Sequence, residues 1–157
     1  MRPTHADQSP LPQDWSPADA RDVPHTWISR INGFNAVERI VVEAAGEGFR
    51  CIVLDSHQVP LTQQVTRRIA SSGAQYVQGE EACQAVISWA HSQIRQPNQR
   101  TDFTPLLLVV LGQWALSRDL DALAVRGRQA RIHLAVDEQV RNFASSVLRA
   151  NVEGQYS

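Results

Sequence analysis

The chain has 157 residues, enough for one domain with its own core, and 43% of them are hydrophobic, an ordinary fraction for a globular protein. Its formal net charge of -1 excludes a global pull toward nucleic acid or anionic membranes. All 15 basic residues are arginine, so no mechanism that needs a lysine amine is available, neither a Schiff base nor a phosphate-loop lysine.

Residues 1–24 carry five of the eight prolines, many polar residues and no periodicity, and read as a flexible tail with Trp15 as its large anchor. The tail lacks the basic-then-apolar pattern of a signal peptide. No run reaches the roughly 18 apolar residues of a membrane span, so a cytoplasmic protein is expected.

Residues 25–157 then alternate between strand and helix patterns and read as one folded domain. Thr26–Ser29 is a short strand, Asn32 and Gly33 form a turn, and Ala36–Ala45 places Val37, Ile40, Val41 and Ala44 at helical spacing before Gly46 and Gly48. Phe49–Leu54 is a second strand, too continuously apolar for a sheet with one wet face. After a loop from Asp55 to Pro60, a helix is expected at Thr62–Ser72 and a longer one at Glu80–Gln96. The longer helix has acids in its first turn and Arg95 in its last, and Ala82, Val86, Trp89, Ala90 and Ile94 as its apolar stripe. A polar loop over 97–104 precedes the strand Leu106–Leu111. A helix near Arg118–Val125, a strand at Arg131–Val136 and a helix over Glu138–Ala150 complete the series. Four strands alternating with helices imply a parallel, three-layer α/β domain, because parallel neighbours need crossover connections.

Single residues add little chemistry. Cys51 and Cys83 lie in apolar patterns without a CxxC spacing and read as reduced core residues, so no metal is expected. Asp55, Ser56 and His57 have the residue types of a hydrolase triad, but three adjacent residues cannot converge on one substrate atom. His133, between Ile132 and Leu134, reads as a sheet histidine facing away from its neighbours, and His91 as a residue of a solvated helix face. The pairs and clusters Arg67 with Arg68, and Arg126, Arg128 and Arg131, are most simply solvated faces.

The order of the segments carries a further signal. His25-Thr26-Trp27-Ile28 is followed by Ile52-Val53-Leu54-Asp55, then by Pro105 to Trp114, then by Arg126-Gly127-Arg128 and Ile132-His133-Leu134, and finally by Leu148-Arg149-Ala150-Asn151. In order and spacing this series resembles the motor domain of the FtsK/SpoIIIE family of P-loop DNA translocases, with the related ATPases of conjugation and type VII secretion. The resemblance covers residues 25 to about 154. It implies a P-loop NTPase-like (RecA-like) parallel sheet whose phosphate-loop strand lies between the fourth and fifth strands. Since the sequence stops about where the fifth would begin, the expectation is four core strands in the order 1-4-3-2, truncated before the fifth. That order leaves Thr26–Ser29 at an open edge.

The departures from the family pattern fall on its chemistry. A phosphate loop needs glycines to turn backbone N–H groups inward, a lysine for the phosphates and a hydroxyl for magnesium. Here Arg30 and Asn35 replace the outer glycines, Asn32 lies between them with the one matching Gly33, and Ala36 and Val37 stand for the lysine and the hydroxyl. Gly112 and Gln113 stand where the family has an Asp-Glu pair that holds magnesium and polarises water. Gln139 matches the glutamine of the Thr-Gln sensor, with Glu138 before it.

The resemblance therefore implies a degenerate, non-catalytic domain, a pseudo-ATPase without metal or cofactor that works by binding, scaffolding or regulating another protein. An FtsK-type or type VII secretion ATPase is the expected partner, or a second copy paired through the open strand edge. Arg126, Arg128 and Arg131 are the candidate contacts, better suited to a neighbouring protein than to nucleic acid given Asp119, Asp121, Asp137 and Glu138 nearby. Phe34 is a further candidate, as a plug for the vacated pocket or as an apolar anchor. The alternative is nucleotide binding without hydrolysis, with Arg30 as a substitute cation.

Overall fold

A computed structural model describes residues 25–28, 35–55, 63–95, 104–112 and 118–156. The tail with Trp15, the loop residues Arg30, Asn32, Gly33 and Phe34, the Ser56 and His57 pair, and Gln113 all lie outside the described residues.

Six strands form one all-parallel sheet: β1 (His25–Ile28), β2 (Arg50–Asp55), β3 (Gln75–Gln78), β4 (Leu106–Leu111), β5 (Ile132–Asp137) and β6 (Val152–Tyr156). The helices between them are α1 (Asn35–Gly46), α2 (Gln63–Ser71), α3 (Glu80–Arg95), α4 (Arg118–Arg126) and α5 (Ser146–Asn151). Short 3-10 turns span Gly127–Ala130 and Glu138–Phe143.

The spatial order is β3-β2-β4-β5-β1-β6, so both the number and the order of strands differ from the expected four-stranded sheet. The four expected strands occupy the middle, and an unexpected strand covers each flank. β1 is thus not an edge: it pairs with β5 on one side and with β6 on the other. The truncation expected before a strand beyond β1 is also overturned, because β6 fills that place.

Both extra strands are polar where the sequence is read alone. Gln75 and Gln78 bracket β3, and β6 contains Glu153, Gly154 and Gln155. Backbone pairing with an existing strand, rather than side-chain pattern, makes them strands. At β6 the pairing depends on a small residue. Gly154 lies opposite Thr26, and a Cβ there would stand 2.8 Å from Thr26 Oγ1 and 3.3 Å from the carbonyl oxygen of His25. Gly154→Ala is expected to cost about 1–3 kcal/mol by overpacking, read as a lowered denaturation midpoint.

The central strand shows how one sequence feeds two cores. Every residue of β4 is buried. Leu107, Val109 and Leu111 join Ile40, Val41 and Ile69 on one face, whereas Leu106, Leu108 and Val110 join Ile87, Leu120 and Leu148 on the other. Strand alternation makes this division, and a run apolar on both faces needs helices on both faces. From β1 to β3 the chain moves across the sheet in one direction, and from β3 to β6 it moves back. With right-handed crossovers a reversal of direction changes the face. Accordingly α1 and α2 cover one core, and α3, α4 and α5 the other.

Two helices differ from their sequence reading. In α3 the buried residues are Cys83, Ile87 and Ala90, with Val86 and Ile94 packed beside them, while Ala82 is exposed and Trp89 is 41% exposed. The stripe is rotated toward Cys83, a small residue that fits against the sheet. The helix expected over Glu138–Ala150 is broken: a 3-10 turn ends at Phe143, and α5 starts only after Ser145. Ser145 Oγ accepts from the Leu148 N–H at 3.0 Å and donates to Asp121 Oδ1 at 2.8 Å, so it caps α5 and ties it to α4. Val147 consequently turns outward, 41% exposed, while Val140, Ala144 and Leu148 stay buried.

No helix among the described residues is long and apolar enough to cross a membrane.

Candidate functional site

In an open parallel sheet, ligands bind beyond the carboxyl ends of the strands, where neighbouring connections leave toward opposite faces. β1 and β5 are such neighbours: β1 leads to α1 on one face, β5 to the Glu138–Phe143 turn and α5 on the other. Ile28, the last residue of β1, is level with Asp137, the last of β5. Of the sequence-selected residues, Ala36, Val37, Gly112 and Gln139 belong to this carboxyl edge, with Asn35 opening α1.

Asp137 organises the edge. It is fully buried, and its carboxylate accepts from the Gln139 N–H at 3.0 Å through Oδ1 and from the Gly112 N–H at 3.3 Å through Oδ2. The carboxylate thus clamps the exit of β4 to the exit of β5. Asp55, also fully buried, plays the matching part at β2: its Oδ2 accepts from the Tyr76 hydroxyl of β3 at 2.6 Å, and its carbonyl accepts from the Gly79 N–H at 2.9 Å. Neither acid was selected from the sequence as a site residue. The available signal was an acid placed directly after an apolar strand run, at Leu54-Asp55 and Val136-Asp137.

Gly112 has φ 104, a conformation that L side chains rarely adopt. This strand end is therefore shaped for glycine. Gly112→Asp is expected to lower stability by about 1–3 kcal/mol through backbone strain, and it sets a second carboxylate beside that of Asp137. Thermal denaturation of the variant checks this.

Ala36 and Val37 sit in the first turn of α1, 1% and 0% exposed, within the core against β2, β4 and β5. Side chains at these positions are part of the packing. Gln139 is exposed and contributes its backbone N–H to Asp137.

Comparison with protein-family models, with curated proteins and with solved structures gave no match.

The arginines selected from the sequence lie elsewhere. Arg126 ends α4, Arg128 is in the following turn, and Arg131, with φ 60, precedes β5, so all three are at the opposite, amino edge of the sheet. Two buried histidines lie inside that edge. His25 Nδ1 accepts from the Leu134 N–H at 3.0 Å, and the His133 ring meets the Phe49 ring edge-on at 5.5 Å, away from its neighbours Ile132 and Leu134. His91 is not merely solvated: its Nδ1 is 3.1 Å from Asp119 Oδ1, joining α3 to α4.

Neither cysteine is an activated nucleophile. Burial pushes the Cys51 thiol up to about 12, and burial together with the Asp55 charge pushes the Cys83 thiol up to about 11, so both stay protonated at neutral pH. Among the described residues no three His, Cys, Asp or Glu side chains come together as a metal site.

Proposed function

We propose that this chain is a non-catalytic, FtsK/SpoIIIE-like pseudo-ATPase that acts as a protein-binding, scaffolding or regulatory module, with a DNA-translocation or secretion ATPase as the candidate partner. The observation that carries the reading is the burial of Ala36 and Val37. Where the family resemblance sets a lysine for the phosphates and a hydroxyl for magnesium, this chain has two core side chains without charge or donor.

Two further features support it. β1 lies between β5 and β6, as the phosphate-loop strand does in the order that the resemblance implies. At the end of β4, Gly112 has no side chain to offer a metal, and its backbone N–H donates to the Asp137 carboxylate. Phosphoryl transfer depends almost wholly on positioned charge, and these positions supply none.

Purified protein is expected to show no ATP turnover above background in a phosphate-release assay. Turnover abolished by substitutions within residues 30–37 would overturn the reading. Calorimetric titration with ATP, with and without magnesium, tests the alternative of nucleotide binding without hydrolysis. The expected result is no measurable heat of binding; micromolar affinity would favour that alternative instead.

A further inference from the structure

The helical layer over the second core is polarised along the strands. α3 begins with Glu80 and Glu81 and ends with Arg95; α4 begins with Asp119 and Asp121 and ends with Arg126. Complementing the helix dipole accounts for that much. It does not account for the additional arginines supplied by other elements at the same end.

Arg50 opens β2. Strand alternation sets Cys51 in the first core and Ile52 in the second, so Arg50 shares the second face with Ile52. There its guanidinium lies 5.7 Å from the centroid of the Trp89 ring on α3. The 3-10 turn with Arg128 follows α4 on this face, where Ala130 packs against the same core. Arg50 is level with Leu106, whose N–H donates to the Arg131 carbonyl at 2.8 Å. One strand separates the two arginines, a spacing of about 10 Å.

Within this basic rim two large apolar side chains stay exposed, Trp89 at 41% and Val125, beside Arg126, at 54%. Glu43 belongs to α1, which covers the other face. We propose that this amino edge, on the α3 and α4 side, is the docking surface for an acidic segment of a partner protein that also carries apolar side chains. Guanidinium forks match carboxylates in bidentate geometry, and tryptophan and arginine are the residue types that most often dominate binding energy. A nucleic acid fits less well, because a chain of net charge -1 offers no long-range attraction to a polyphosphate.

The inference deepens the protein-binding reading and rests on it, yet the two fail separately: ATP turnover ends the reading, whereas arginine-independent binding ends this inference alone. The test is fluorescence anisotropy of the full chain with a labelled peptide in which aspartate and glutamate alternate with leucine. A single-stranded oligodeoxynucleotide of equal charge serves as the comparison.

The peptide is expected to bind, and the double variant Arg95→Glu/Arg126→Glu, at two exposed positions, to lose about tenfold or more in affinity. Arg126→Gln gives a smaller loss in the same direction. Arg67→Glu, exposed on α2 over the other core, leaves binding unchanged, with circular dichroism reporting the fold of each variant. Absence of peptide binding, an equal loss in Arg67→Glu, or tighter binding of the oligonucleotide overturns the proposal.

Discussion

Replacing Trp27 by alanine is expected to destabilise the protein by about 3–5 kcal/mol, the range for deleting a large buried aromatic side chain. Trp27 is only 1% exposed although it belongs to a strand of four residues, and it joins three parts of the fold. Its ring packs in the core under α4 and α5, its Nε1–H donates to the Val152 carbonyl at 3.1 Å where β6 begins, and the Arg141 guanidinium lies 5.4 Å from the ring centroid. Trp27→Phe keeps most of the apolar contact and loses the hydrogen bond, so a loss of about 1–3 kcal/mol is expected. Urea denaturation separates the two variants. Equal midpoints for Trp27→Phe and the unaltered protein would show that the link to β6 contributes nothing.

Acidification is expected to remove about 3 kcal/mol through His25 alone. Burial, reinforced by the nearby Arg128 charge, lowers its pKa from 6.5 to about 4, while the carbonyls of Ala124 and Leu123 act in the opposite sense. The folded state therefore holds a neutral imidazole over a range where the unfolded chain already binds a proton. Stability from this source is fully present above about pH 6.5 and is lost progressively as the pH falls toward 4. His25→Asn preserves an acceptor for the Leu134 N–H and removes the titration. Its stability profile should be flatter between pH 4 and 6.5, although other titrating groups slope both curves. Parallel profiles for the two proteins would refute the assignment.

Much of the frame was legible because apolar runs are unambiguous in a parallel sheet. Leu106–Leu111 could only be a strand covered on both faces, and all six residues are buried. Cys51 and Cys83 read as reduced core residues, and both are free and buried. β3 and β6 escaped because a strand at the flank of a sheet needs little apolar pattern; its backbone bonds to a strand already there. In α3, Val86, Ala90 and Ile94 pack on the core as the sequence reading had them, but Ala82 and Trp89 are exposed and Cys83 and Ile87 are buried instead, because periodicity alone does not choose between adjacent stripes.

At the candidate site the sequence named positions but not their partners. Gly112 was singled out as an absent acid, while its positive φ and its bond to Asp137 became visible only when β4 and β5 were brought side by side. Arg126, Arg128 and Arg131 were visible as a cluster in the chain. That Arg50 and Trp89 belong to the same end and face follows from strand register and from the crossover of α3, which link residues far apart in sequence.

By itself, then, the sequence determined the alternating α/β class, the doubly buried central strands and the absence of lysine, because these depend on residue type and local period. Only the tertiary structure decided that six strands share the sheet, that β1 is interior, and that Asp55 and Asp137 clamp the carboxyl edge while arginines collect at the amino edge. Those are long-range matters: they are set by which backbone finds which partner and by the face each crossover takes, and no local pattern records either.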